Sequence, residues 1–144
     1  MSQDLDRLLV RERIGDGRDF GPAADRLLSW DLHRAAGLGV DAASPVPAPG
    51  ERLVLRLGPV SAPIQVTSAV RDDRAASLTY EALPGHPERG WERFTVERRE
   101  DGTRIEIEAH SRPATWWSRL GGPITYAIQR WVTGRYVSAA KGHR

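Results

Sequence analysis

The 144-residue chain contains no cysteine. That absence excludes disulfides, thiolate nucleophiles, iron–sulfur clusters and cysteine-ligated zinc, leaving any chemistry to oxygen and nitrogen groups. Lysine is nearly absent too, Lys141 being the single one, so the positive charge is carried by arginine. With 21 basic against 19 acidic side chains the net charge is only +2, and acids and bases are interspersed. Such a chain projects no strong field for nucleic acid, despite its sequence pI of 9.5. Nowhere do enough apolar residues run together to span a bilayer, and the start Met1–Asp6 has no charged-then-apolar leader pattern. The chain reads as cytoplasmic, and its length fits one core and a single domain over 1–144.

What is present is a change of period along the chain. Leu8–Ile14 is β-compatible and stops at Gly15-Asp16-Gly17. Pro22 then suits a helical first turn, with Ala24, Leu27, Leu28, Leu32 and Ala35 at helical spacing in one short helix closed by Gly37. Pro45, Pro47 and Pro49 make a loop or an edge. From Glu51 the period becomes two. Leu53, Leu55 and Leu57, then Ile64, Val66 and Val70, then Leu78 and Tyr80 mark the inward faces of successive strands.

Asp101-Gly102 predicts a hairpin turn, with Val96 opposite Ile107, Phe94 opposite Ala109 and Glu92 opposite Ser111. That register also sets Glu97 against Glu106 and Arg99 against Arg104. The last segment has helical spacing at Leu120, Ile124, Ala127, Ile128, Trp131 and Val137, with a kink or a restart near its beginning at Gly121-Gly122-Pro123. Packing its apolar stripe on the apolar face of the sheet gives an α+β fold: a curved antiparallel sheet of six to seven strands wrapping a long C-terminal helix. The mixture of Trp116, Trp117 and Trp131 with arginines is explained by core packing before membrane contact.

Several residues carry candidate chemistry. Glu92 shares the inward phase of Phe94 and Val96; desolvated there, its carboxyl would have a raised pKa and be a candidate general acid or base, whereas at an exposed strand end it is an ordinary surface acid. Tyr80 and Ser111 share the inward phase and join it in a small polar cluster. The apolar lining falls to Phe94, Ile124, Ile128 and Trp131. His86, in a rigid turn, is a second acid–base candidate at the cavity mouth, the alternative being a turn histidine that only caps backbone. Arg112 suits a bidentate hold on Glu88 or Glu92 at the strand–helix junction, or on a carboxylate ligand, and His110 points outward. His33, His86 and His110 lack ligand spacing, so no metal is assigned. No phosphate loop or nucleophile elbow is present, so no nucleotide cofactor and no hydrolase triad is expected.

The run Leu83-Pro84-Gly85-His86-Pro87-Glu88-Arg89-Gly90, with Ser111-Arg112-Pro113, Gly122-Pro123 and Gln129-Arg130, resembles the bacterial and plant family called domain of unknown function 1990. Trp30–Gly37 resembles its early helix. Trp91 stands where that family's pattern has a first glutamate, leaving Glu92 alone of an acidic pair. The resemblance implies a START-like, helix-grip fold with a hydrophobic cavity between sheet and final helix, and it implies no activity. Three functions are open at this point: a binder of a small hydrophobic molecule, a cyclase- or dehydratase-type enzyme using Glu92 or His86 with Tyr80, and an interaction module presenting the Pro45–Pro49 loop and Trp91.

Overall fold

A computed structural model describes residues 6–86, 88–113 and 122–141; for Asp6, Glu88, Arg112, Pro113 and residues 122–129 it describes the backbone alone. Pro87, Trp116, Trp117, Ser118, Leu120 and Gly121 therefore lie outside the described residues, as do the side chains of Ile124, Ala127 and Ile128. The architecture is α+β: one curved, unclosed, antiparallel sheet of seven strands in the order β1-β7-β6-β5-β4-β3-β2, with the helices packed on one face. The strands are β1 (Asp6–Gly15), β2 (Gly39–Asp41), β3 (Arg52–Leu57), β4 (Val60–Arg71), β5 (Ala75–Ala82), β6 (Glu88–Arg99) and β7 (Gly102–Pro113). Between β1 and β2 lie a 3-10 turn (Gly17–Asp19), α1 (Phe20–Leu27) and α2 (Asp31–Ala35), and the chain ends in α3 (Gly122–Ala140).

The alternation places Leu53, Leu55, Ile64, Val66, Leu78, Phe94, Val96, Ile105 and Ile107 in the core with Leu27, Leu32, Tyr136 and Val137 from the helices. On the outer face Glu108 takes Arg7, Arg93 and His110, the last stacked on Trp91 with ring centroids 4.4 Å apart. His110 thus faces outward as its phase requires.

Four expectations need correction. The single early helix is two, because Trp30 adopts a left-handed conformation at φ +67° and breaks the run between Leu27 and Asp31. The break resets the phase, burying His33 and Ala36 where Ala35 was expected. The hairpin register is shifted by two residues: Phe94 faces Ile107, Val96 faces Ile105, Glu92 faces Ala109, and Ser111 faces Gly90. The turn residues are Glu100-Asp101, and Gly102 begins the ladder at φ +132°, where a Cβ would lie 2.3 Å from the Gly15 carbonyl oxygen. A shift of two keeps every side chain on its face. It also sets Glu97 against Arg104 and Arg93 against Glu108, replacing the like-charge pairs with opposite ones.

Val70 is 59% exposed, not inward. Thr67 is skipped in the ladder with β5, because the register jumps between Val66 and Ser68, so this bulge inverts the phase and turns Ala69 inward. Trp131 is likewise exposed, at 56%, with the Arg135 guanidinium over its ring at 5.1 Å. The buried residues of the described helix end are Thr133, Tyr136, Val137 and Ala140, spaced three, four and seven. Trp131 is two positions before Thr133, about 200° around the axis, and so on the opposite side.

Candidate functional site

Three inward strand positions and one turn build a recess at one end of the sheet's helix-bearing face. Tyr80 on β5 faces Glu92 on β6, and Glu92 faces Ala109 on β7, so the three neighbours share one face in adjacent strands. Ile64 and Ala82 face each other beside them. Gly90 opposes Ser111; its φ is +130°, and a Cβ would lie 1.8 Å from the His110 carbonyl oxygen. Only glycine lets β6 run so close to β7. The turn after β5 has Pro84 and then Gly85 at φ +99°, and it closes through His86 N–H to the Leu83 carbonyl at 3.1 Å. This geometry carries His86 to the recess.

Among the described residues the recess encloses about 70 Å³ and is lined by Tyr80, Glu92, His86, Ser111 and Arg89 beside the apolar Ile64, Ala82 and Ala109. Tyr80, Glu92 and Ser111 from the strands and His86 from the turn thus line one recess. Phe94 is fully buried behind them, and Trp131 is not at the recess.

Glu92 is half-buried, and the loss of solvent around its carboxyl pushes its pKa up to about 7, even though a hydrogen bond from Tyr80 opposes the rise. The Tyr80 hydroxyl donates to Glu92 Oε1 at 2.9 Å and lies 2.9 Å from His33 Nε2. Burial, then the neighbouring Glu92 charge, pushes the Tyr80 phenol well above its ordinary range, so it stays protonated. Burial alone pushes His33 down to about 3, so its imidazole is neutral at physiological pH. Tyr136 shares a side-chain hydrogen bond with Tyr80, and burial raises its phenol also.

A model of the family described as Domain of unknown function (DUF1990) matches residues 2–139. The chain belongs to the DUF1990 family. Its fold is similar to a hypothetical protein from Helicobacter pylori, with TM-score 0.72 and 11% identity over 94% of this chain and 84% of that one. The Aha1 dimer from Colwellia psychrerythraea gives 0.61 at 11% identity, covering 97% and 100%. DynU16, from the dynemicin biosynthetic locus, gives 0.59 at 14% identity, covering 92% of this chain and 46% of that one. At such identities the likeness is one of fold alone. No curated protein matches the chain.

Sequence reasoning about this DUF1990 chain missed the second layer of the site. His33, Trp30 and Tyr136 pack around Phe94 and Tyr80, with the His33 ring 4.8 Å from Phe94, 4.9 Å from Tyr136 and 5.1 Å from Trp30. The available signal was the helical period of Tyr136 with Thr133, Val137 and Ala140. For His33 there was none before the break at Trp30 was known. Trp91, held between His110 and the Arg93 guanidinium at 5.0 Å, is half-buried on the outer face.

Proposed function

We propose that this DUF1990 chain is a START-like, helix-grip protein that binds a small, largely apolar molecule, seating its polar end in the recess at Tyr80, Glu92 and Ser111. The observation that carries this reading is the recess itself, where hydrogen-bonding groups converge among apolar strand residues. At about 70 Å³ it is well below the roughly 300–1,000 Å³ that encloses a whole drug-sized ligand, so it takes a polar group and its nearest carbons. Native mass spectrometry of the freshly purified protein tests this: a bound species of small mass that is lost in Ser111→Phe supports it. An unliganded spectrum, together with no thermal shift from lipophilic ketones or alcohols, contradicts it.

One observation favours a second reading, an enzyme of the cyclase or dehydratase kind. A carboxyl titrating near 7 exchanges protons efficiently at neutral pH, and Glu92 touches both the recess and the Tyr80 hydroxyl. Unchanged turnover of a substrate by Glu92→Gln would remove this reading.

A further inference from the structure

The hydrogen-bond chain behind the recess has a direction. When Glu92 is ionised it can only accept, so Tyr80 gives its single O–H to Oε1. The Tyr80 oxygen then offers only lone pairs to His33, and Nε2 must carry the proton and donate. The chain therefore runs from His33 through Tyr80 to Glu92 and uses each donor once. A proton added to Glu92 goes to Oε2 with no rearrangement behind it, which turns the carboxyl into a neutral donor.

The arrangement is built at a cost. His33 Nδ1 and Trp30 Nε1 are buried with no hydrogen-bond partner among the described residues. Trp30 holds φ +67°, a strained state for a bulky residue, and its carbonyl accepts from Arg34 N at 3.0 Å to begin α2. Strain and two orphaned polar atoms persist where the surroundings over-determine them. Here they set His33 against the Tyr80 hydroxyl.

We infer that the recess selects ligands whose polar end is a neutral, hydrogen-bond-accepting oxygen, a carbonyl above all, taken up together with a proton on Glu92 Oε2. His33 is the positioning residue that keeps Tyr80 on Oε1. This deepens the binding reading above and rests on it. An anionic ligand would meet a second negative charge whenever Glu92 is ionised, and a cationic one would hold Glu92 ionised. The other described groups facing this carboxyl are the Tyr80 and Tyr136 phenols from β5 and α3, neutral His33 from α2, and His86 and Arg89 at the recess, Arg89 being exposed and so screened by solvent.

The test uses three probes on one ring, acetophenone, benzoate and benzylamine, titrated into the ¹⁵N-labelled full chain at pH 6 and pH 8. For a group titrating near 7, the protonated fraction falls from about 0.9 to about 0.1 across that interval, so acetophenone should bind about tenfold more tightly at pH 6. Glu92→Gln, a permanent neutral donor, should bind acetophenone equally at both. Tyr80→Phe removes the bond to Oε1 while keeping the ring, and should move the pH window upward. His33→Gln retains an N–H donor and should keep the wild-type window, whereas His33→Leu should behave as Tyr80→Phe does. Equal acetophenone binding by the wild type at pH 6 and 8, or benzoate binding more tightly than acetophenone at pH 6, overturns the inference and leaves the binding reading standing. Failure of all three probes overturns both.

Discussion

Tyr80 and Glu92 face each other across β5 and β6, and the phenol donates to the carboxyl at 2.9 Å. Tyr80 ties a surface recess to a buried cluster, and the two groups its hydroxyl meets, Glu92 and His33, are shifted in opposite directions from their ordinary values. Stability should therefore respond to pH from both sides.

The Glu92 pKa rises on folding from 4.5 to about 7, so the folded state holds its proton more tightly than the unfolded chain does. The resulting stability is fully present below 4.5 and lost as pH rises through 7. Between pH 4 and pH 8 the wild type should lose on the order of 3 kcal/mol relative to Glu92→Gln. Chemical denaturation of both proteins at several pH values reads this difference directly.

His33 has the opposite sign. Its pKa falls on folding from 6.5 to about 3, so its contribution is present above 6.5 and lost as pH falls toward 3. Between 4.5 and 6.5 the two slopes oppose one another. Below that window only His33 of the two still acts; over its whole range from 6.5 to 3 its contribution totals on the order of 5 kcal/mol, and His33→Gln should flatten the acid limb of the stability profile. Retention of the wild-type acid limb in that variant would show that His33 is not the group responsible.

The phase of α3 is testable by two alanine substitutions. Tyr136 is 3% exposed against His33 and Phe94, and its replacement should cost about 3–5 kcal/mol. Trp131, 56% exposed, should cost under about 1 kcal/mol. Urea unfolding midpoints that reversed this order would restore the stripe read through Ile124, Ile128 and Trp131.

Much of this was legible in the residues, and the limits have physical causes. Period-two alternation fixes which face a side chain takes, so Tyr80, Glu92 and Ser111 were recognisable as neighbours on one face even with the hairpin register displaced by two. Register itself depends on the turn, and the Gly102 contact with Gly15 joins residues remote in sequence. The bulge at Thr67 inverts phase without a glycine or proline to announce it. Trp30 breaks a helical pattern while being a poor candidate for a left-handed backbone, because tertiary packing overrides local preference there. His33 and Tyr136 belong to helices whose phase becomes readable only after such interruptions are placed.

Gly90 should tolerate no side chain. Gly90→Ala forces a Cβ against the His110 carbonyl at a φ of +130°, so β6 must pull away from β7 beside Glu92 and Ser111. A loss of at least about 2 kcal/mol is expected, with amide shifts concentrated at Trp91, Glu92, His110 and Ser111 in NMR spectra. Perturbations spread evenly over the sheet would contradict the local account.

The central claim is that Glu92 is a desolvated carboxyl held by Tyr80 at the recess. A carboxyl-¹³C NMR titration of Glu92 in the wild type and in Tyr80→Phe tests it most directly. The account predicts a midpoint near 7 in the wild type and a higher one in Tyr80→Phe, since the lost hydrogen bond favours the ionised form. A midpoint near 4.5 in both proteins would contradict it.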